Sequence, residues 1–240
     1  MLIFLDLETT GLERTDVIVS IALIAKENEK LKVYSSLLNE GKKIPPKASS
    51  IHHITNEMIH KKPKFKESEI YKFLKNNNTQ ESTLIAHNVN FDLQMLSRAG
   101  IEWKGDVVDT LRVTKHLIPE CEYFSLQFLR YELKLYRQEL KQAEYLGVQM
   151  PLYAHDALDD SVVLKLLYDY LLEIVSLEKM KELTFKNVLL EKLEFGKYAG
   201  KYIEEVAMND RGYLEWMLNT IMDLDEDLRY SITYYLQGQL

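Results

Sequence analysis

The first twelve residues place two carboxylates in a segment that otherwise predicts a buried strand. Leu2 to Leu7 is a nearly unbroken apolar run, which is typical of a strand covered on both faces. Asp6 and Glu8 are two residues apart, so the period of a strand points both side chains to the same side. Two ionised carboxylates in a low dielectric repel each other and need compensation. A site for Mg²⁺ or Mn²⁺, which prefer oxygen ligands, is one interpretation; a strand end that reaches solvent is the other.

Length and composition limit the classes of protein that the chain can belong to. Its 240 residues can form one sizeable domain with a small appendage, or two modest domains. No stretch has the length of a membrane span, and the N-terminus lacks the features of a secretory signal. The single cysteine, Cys121, excludes an internal disulfide and fits a reducing compartment, so we expect a cytoplasmic protein without a membrane partner. The net charge of −7 argues against a broad surface that coats nucleic acid.

The apolar pattern predicts an α/β fold that opens with a β-meander. After the first strand, further strands are predicted at residues 17–25, 31–38, 84–86 and 107–108. Helical periodicity is predicted between and after them, including an amphipathic segment from Phe124 to Leu135 and a long helix from His155 to Ile174. The polar side of that long helix is predicted to consist of Ser161, Lys165, Asp169 and Glu173.

Two further acids occur where the helical pattern requires apolar residues. Asp92 precedes Met95 and Leu96 by three and four residues, so it lies on their apolar face. In the long helix, Asp160 falls within about 20° of the centre of the apolar side. His155 precedes Asp160 by five positions, which does not stack the two side chains, so we expect His155 in a loop or first turn.

Together these residues form a candidate catalytic and metal-binding set. Four acids, Asp6, Glu8, Asp92 and Asp160, interrupt buried patterns, and His155 stands beside the last. Around one point, the acids would hold two hard cations about 4 Å apart, which stabilises an in-line displacement at phosphorus. A histidine can act as the general base near neutral pH.

Three motifs resemble those of the DnaQ-like, DEDDh-type 3′-5′ exonucleases. They are FLDLETTGL, AHNVNFD and HDALDD, in the order and at the ordinary spacing of that family, and the HHIT and VVDTL stretches resemble it too. The resemblance covers Leu2 to Leu172. It implies a ribonuclease H-like fold, with a mixed five-stranded sheet and helices on both faces. It also implies two-metal hydrolysis of nucleic acid from the 3′ end, with release of nucleoside 5′-monophosphates.

The resemblance also implies roles for individual residues. Asp6, Glu8 and Asp160 would bind the two Mg²⁺ (or Mn²⁺) ions directly, Asp92 directly or through water, and His155 would deprotonate the attacking water. The implied substrate-binding residues are Leu7, Thr9, Thr10, Leu12, Asn88 and Phe91. Among them, the Thr9 backbone would meet the terminal nucleotide. Leu12 and Phe91 would pack on or wedge between the terminal bases, and ordinary core packing is the alternative for both.

The character of the chain changes after the long helix, so we predict an exonuclease domain at 1–176 and a second part at 177–240. This second part is predicted to be a helical connector followed by a small α+β module, with a β-hairpin at 193–206 and two helices. The stretch FGKYAGKYIEEVAMNDRGYLEWML resembles the extension of exodeoxyribonuclease X-like proteins. Its lysines and tyrosines suit nucleic acid; packing, dimerisation or a replication or repair partner are the alternatives.

The leading functional hypothesis is a metal-dependent 3′-5′ exodeoxyribonuclease that acts on DNA 3′ ends in repair or degradation. The alternatives are an exoribonuclease that trims RNA, a proofreading subunit of a polymerase, and a non-catalytic subunit that binds nucleic acid. The complete set of acids argues against the last alternative, because a pure binding protein does not need buried like charges.

Overall fold

The computed structural model describes residues 1–28 and 30–238. The chain forms two compact units, one of residues 1–113 with 123–184, and one of residues 114–122 with the segment from Phe185 onward. Among the described residues, no helix is both long enough and apolar enough to cross a membrane. The chain passes between the two units at 113/114, 122/123 and 184/185, and the functional boundary at 176/177 stays a prediction.

The first unit is built on a mixed five-stranded sheet, which confirms the predicted fold class. The strands are β1 (Leu2–Thr9), β2 (Ile18–Glu27), β3 (Lys30–Leu37), β4 (Thr83–Ala86) and β5 (Asp106–Asp109). Their order in the sheet is β3-β2-β1-β4-β5. β1 pairs antiparallel with β2 and parallel with β4, so it occupies the centre of the sheet. The central position explains why its sequence is apolar on both faces.

Helices cover both faces of this sheet. The helices of the first unit are α1 (Pro46–His52), α2 (Asn56–Ile59), α3 (Glu69–Asn77), α4 (Val89–Arg98), α6 (Leu126–Glu132), α7 (Glu139–Leu146) and α8 (Ala157–Leu172), with 3₁₀ turns at Phe65–Glu67 and Leu135–Arg137; α5 (Thr110–Leu117) and α9 (Leu177–Phe185) begin in this unit and end in residues of the second. Leu5 of β1 belongs to the core cluster that contains Leu74 of α3 and Leu96 of α4. Phe4 points the opposite way and meets Tyr168 of α8 edge-on, with ring centroids 5.1 Å apart.

The predicted polar side of α8 is wrong for two of its four residues. Ser161 and Lys165 are buried. The Ser161 hydroxyl donates to the carbonyl of Ala157 at 2.7 Å, and Lys165 Nζ is 2.5 Å from the Asp169 carboxylate. Ser161 faces β2, because its hydroxyl also lies 3.3 Å from the Ala22 carbonyl, and Lys165 lies under α7, where its Nζ is 3.4 Å from Gln142 Oε1. Periodicity within one helix does not reveal a second helix that covers its polar side.

Among its described residues, the second unit contains three complete helices, α10 (Ile203–Asn209), α11 (Arg211–Thr220) and α12 (Glu226–Leu236). They share a core that includes Leu193, Leu214 and Ile232. The predicted β-hairpin at 193–206 is wrong, because residues 203–206 belong to α10 and no pair of strands forms. Among the described residues, the two arms share one isolated bridge between Lys192 and Tyr202, with backbone hydrogen bonds on either side of it. The glycines that suggested hairpin turns have φ near +81° and close compact turns, after which the chain enters α10 directly. The module is therefore helical rather than α+β.

The start of β5 approaches the chain before β4 so closely that only glycine fits at position 105. A β-carbon there would overlap the backbone oxygen of Ser82 and lie 2.6 Å from that of Thr79. We expect Gly105→Ala to lower the free energy of unfolding by about 3 kcal/mol, the upper end of the usual cost of overpacking. The control is Gly212→Ala in α11, where no atom lies within 4 Å and alanine favours the helix. Urea unfolding followed by circular dichroism tests this, and equal midpoints for Gly105→Ala and the wild type would contradict it.

Candidate active site

The C-terminal half of β1 delivers the first two acids. Asp6 is opposite Ala22 of β2, and Glu8 is opposite Ser20. Because side chains alternate along a strand, both carboxylates lie on the face on which Phe4 meets α8. The register with β2 shifts between Glu8 and Thr9, so regular pairing ends directly after the second acid. β1 therefore presents the two acids at the point where the strand leaves the sheet.

The other two acids enter from the first turns of two helices. Asp92 is the fourth residue of α4 and Asp160 the fourth residue of α8, and both are at least 94% buried. The helix dipole favours negative charge in a first turn. α8 begins at Asp156, whose side chain accepts hydrogen bonds from the amides of Leu158 and Asp159. This cap determines where the helix starts and so the position of Asp160.

Three of the five residues of the predicted catalytic set meet at one place, and the other two lie near them. Single donor atoms of Glu8, His155 and Asp160 all lie within 4.8 Å of one another. Asp6 adjoins this cluster, because the charges of Asp160, Asp92 and Glu8 all act on it. The structure thus assembles the set, and the roles of its members stay predictions.

The pKa values of the four carboxyl groups are raised, because among the described residues no positive charge close to them fully compensates for burial and mutual repulsion. Burial, reinforced by the neighbouring carboxylates, raises the pKa of Asp6 well above its ordinary value. The same causes raise the pKa of Glu8 to about 8. Burial raises the pKa of Asp160 to about 7, opposed by hydrogen bonds from the His155 amide and from Gln127. It also raises the pKa of Asp92 well above the ordinary value. A divalent cation would supply the missing charge, so the donor set fits a divalent-metal site.

His155 lies in the turn that precedes α8. Its backbone has φ of +61°, and its side chain is exposed. The backbone amide donates to Asp160 Oδ2 at 2.9 Å, which ties the turn to the first turn of the helix. The backbone of His155 is therefore held in place while its imidazole is accessible to solvent. Its position in the turn before the helix is the one expected from its spacing to Asp160.

Three of the predicted substrate-binding residues do not offer their side chains. Leu7 is buried in the hydrophobic core. The hydroxyl of Thr9 donates to the carbonyl of Gly11 at 2.8 Å, and that of Thr10 donates to Asp16 Oδ1 at 2.6 Å. Only the backbones of these three residues could meet a ligand.

Leu12, in contrast, is held out from the protein on an anchored loop. Its side chain is 81% exposed, so core packing is wrong for this residue. The anchor is Asp16, which accepts hydrogen bonds from Thr10 Oγ1, from the Glu13 amide at 2.7 Å and from Lys42 Nζ at 2.6 Å. The Lys42 and Thr10 hydrogen bonds hold the pKa of Asp16 below its usual value. The loop therefore has a defined shape that displays an apolar side chain.

Asn88 and Phe91 flank Asp92 at the start of α4. Asn88 is exposed and has left-handed backbone angles, with φ of +71°. The Asp109 carboxylate stabilises this turn, because its Oδ1 accepts from the amides of Asn88 and Leu111, both at 3.0 Å. Phe91 is half-buried against the core, so part of its ring packs and part faces outward. Contact of either residue with a substrate stays a prediction.

Sequence reasoning missed the residues that surround Asp160. The Gln127 side-chain amide donates to Asp160 Oδ1, and Arg130 next to it pairs with Glu139. Asp156 was also missed, although its charge raises the pKa of Asp6 and Glu8. Gln127 and Arg130 lie in an amphipathic segment whose polar residues resemble a solvated face, so no signal distinguished them.

The raised pKa values predict how the stability of the metal-free protein depends on pH. Because folding raises the pKa of Glu8 from 4.5 to about 8, the folded protein retains protons that the unfolded chain releases. The free energy of unfolding in EDTA should therefore fall as the pH rises from about 4.5 to 8, by up to about 5 kcal/mol. Asp6→Asn removes one repelling carboxylate, so it should raise stability at pH 8 and flatten the slope. Urea unfolding between pH 5 and 8.5 measures both, and saturating Mg²⁺ should abolish the decline. A wild-type stability that rises through this range in EDTA would contradict the assignment.

Comparison with known proteins identifies the family. The family model described as exonuclease (RNase T) matches residues 3–168, and the exodeoxyribonuclease X-like C-terminal model matches residues 193–221. Exodeoxyribonuclease 10 of Escherichia coli (strain K12) is 29% identical over 246 residues, which cover 99% of this chain and 100% of that protein.

Solved structures support the same conclusion. The structure of exonuclease X in complex with 5′ overhanging duplex DNA has a TM-score of 0.57 and 27% identity, covering 77% of this chain and 99% of that one. Cell-death related nuclease 4 has a TM-score of 0.51 and 12% identity, covering 72% and 64% of the two chains, and shares the fold alone. The chain belongs to the exonuclease family and has an exodeoxyribonuclease X-like C-terminal segment.

Proposed function

We propose that the protein is a metal-dependent 3′-5′ exodeoxyribonuclease that hydrolyses DNA phosphodiesters from the 3′ end and releases nucleoside 5′-monophosphates. The observation that carries the proposal is the meeting of Glu8, His155 and Asp160 within 4.8 Å, with Asp6 and Asp92 adjoining them. DNA as the substrate is supported by the name of the Escherichia coli relative, which aligns over its whole length, and by the DNA in the exonuclease X structure.

The carboxylates would hold the cations, for which we propose two Mg²⁺ or Mn²⁺ ions. Asp6, Glu8 and Asp160 are assigned as direct ligands, and Asp92 as a direct or water-mediated ligand. When bound, such cations supply the positive charge that stabilises an in-line displacement at the scissile phosphate. The support is the hard oxygen donor set and the raised pKa of each of these carboxyl groups.

His155 is assigned as the general base. Its imidazole accepts a proton from the attacking water as the water oxygen bonds to phosphorus, while the bond from phosphorus to the 3′ oxygen of the preceding nucleotide breaks. The exposure of His155 allows the proton to pass to solvent afterwards. Leu12, exposed on its anchored loop, is assigned to pack against the terminal base.

We also propose the organisation of the whole chain. Residues 1–176 would carry the chemistry, and residues 177–240 would form a connector and a separate module, since the two family matches fall on either side of this boundary. A cytoplasmic location is proposed because the single Cys121 can form no disulfide within the chain. A role for the module in dimerisation or in binding a repair partner stays a prediction.

Digestion of nucleic acids labelled at the 5′ end tests the function directly. Single-stranded DNA, duplex DNA and RNA of one sequence are incubated with Mg²⁺, Mn²⁺ or EDTA, beside an Asp6→Ala control. We expect DNA ladders that shorten from the 3′ end, and no cleavage in EDTA or with Asp6→Ala. Shortening of RNA alone would replace the proposal with an exoribonuclease, and binding of DNA without cleavage would replace it with a binding subunit. Cleavage by Asp6→Ala at the wild-type rate would overturn the metal-ligand assignment.

The role of His155 is tested separately, because its ring lies close enough to Glu8 and Asp160 to be a ligand instead. We expect His155→Ala to lower the rate by roughly 10² or more, as for loss of a general base, without change in the affinity for Mn²⁺. Single-turnover rates and calorimetric titration with Mn²⁺ measure the two quantities. A weakened Mn²⁺ affinity would instead make His155 a ligand.

A further inference from the structure

A buried ion pair of the first unit is linked to Asp160 through Gln127, and neither member of the pair belongs to the proposed catalytic set. Arg130 of α6 and Glu139 of α7 are both buried, and two parallel hydrogen bonds join them. Arg130 Nε lies 2.5 Å from Glu139 Oε1, and Arg130 Nη2 lies 2.7 Å from Oε2. A two-point contact of this kind fixes the plane of the guanidinium group as well as its position. Arg130 is thus a rigid donor whose remaining N–H groups point in defined directions.

One of those N–H groups orients Gln127. Arg130 Nη1 donates to Gln127 Oε1 at 3.1 Å, so the carbonyl end of that amide faces the guanidinium group. The amino end must then point the other way, and it donates to Asp160 Oδ1. The second oxygen of Asp160 accepts from the His155 amide. Both oxygens of the carboxylate therefore have fixed donors, and one of these donors is set by Arg130.

The same guanidinium group also reaches the segment that carries His155. Arg130 Nη2 donates to the carbonyl of Leu152 at 3.3 Å, three residues before His155. The next amide, that of Tyr153, donates to Asp159 Oδ2 at 2.7 Å. One buried side chain thus supports both the carboxylate of Asp160 and the turn that holds the histidine.

The chemistry of glutamine suits a position beside a metal-binding carboxylate. An amide N–H can hold one oxygen of Asp160 in place and leave lone pairs of the carboxylate available, while adding no net charge. A lysine or arginine there would compete with a cation for the carboxylate, and a glutamate would repel it. Donors of this kind, which bind the ligand and not the metal, orient the ligand and affect affinity.

We propose that Gln127 is a positioning residue that orients Asp160 for the cation, and that the Arg130–Glu139 pair holds Gln127 in the required orientation. This inference rests on the proposed role of Asp160 as a cation ligand. Neither Gln127 nor Arg130 takes part in the chemistry. Their effect is to keep one ligand in a single orientation before the cation arrives.

The test replaces Gln127 with methionine, which keeps the length of the side chain and removes both hydrogen bonds. We expect Gln127→Met to weaken the affinity for Mn²⁺ by roughly 10- to 100-fold, the usual effect of losing a partner of a metal ligand. Calorimetric titration of the full chain with Mn²⁺ alone, without DNA, measures it. The matched control is Gln142→Met in α7, whose amide contacts Lys165 rather than Asp160 and should leave the affinity unchanged.

Activity provides a second measurement that a merely structural role would not reproduce. At a Mn²⁺ concentration near the wild-type Kd, the rate of Gln127→Met should fall at least about fivefold, and saturating Mn²⁺ should restore it to within about twofold. The KM for DNA should not change. Circular dichroism and urea unfolding establish that the variant is folded.

The outcomes separate this inference from the proposed function. A folded Gln127→Met with wild-type Mn²⁺ affinity would overturn the inference and leave the proposed function in place. A rate loss that saturating Mn²⁺ does not restore would also overturn it. If the wild type and Asp6→Ala bind Mn²⁺ equally, the carboxylate site itself is wrong, and the inference falls with it.

Discussion

The cost of ionising carboxyl groups that folding removes from water is the constraint on which the rest of this structure depends. Asp92 and Asp160 are buried and Asp6 and Glu8 are half-buried; loss of water is the main cause that raises the pKa of all four, and repulsion from Asp92 and Asp160 adds to it at Asp6 and Glu8. Such an arrangement lowers the stability of the metal-free fold, so the surrounding protein has to hold it together. The central strand, the first turns of two helices and a network of donors provide that support.

The elements that hold the site residues in place are distant from one another in sequence. β1 is paired on both sides and cannot shift without breaking two ladders, so its two acids have a fixed spacing. α4 and α8 bring one acid each from opposite faces of the sheet. The Asp156 cap fixes the first turn of α8, and the hydrogen bond from the Asn88 amide to Asp109 holds the turn before α4. The turn with His155 and the loop with Leu12 reach solvent, and both are tied to acidic side chains. The site is therefore rigid where charges meet and accessible where a ligand would enter.

The fold could be predicted from sequence because three motifs resemble those of a known family. The four acids could be predicted because each breaks a periodic apolar pattern, and such breaks are visible within a single element. Their supporting partners were not predictable in this way. Gln127 and Arg130 look like ordinary polar residues of an amphipathic helix, and Glu139 belongs to a different helix. Lys165 was assigned to solvent for the same reason, since a covering helix leaves no mark on the sequence that it covers. The hairpin prediction was wrong because glycines at 196 and 200 signal a turn without specifying whether a strand or a helix comes after it.

The anchored loop around Asp16 has a consequence for the free energy of any encounter at Leu12. An apolar side chain on a flexible loop would lose conformational freedom on contact with a ligand, and that loss would reduce the affinity it confers. Here three hydrogen bonds to one carboxylate order the loop when the chain folds. The loop therefore loses its conformational freedom when the chain folds, and not when a ligand binds. If a ligand packs against Leu12, as proposed, binding would require no further ordering of this loop, and the loop would have little freedom to adapt to a ligand of a different shape.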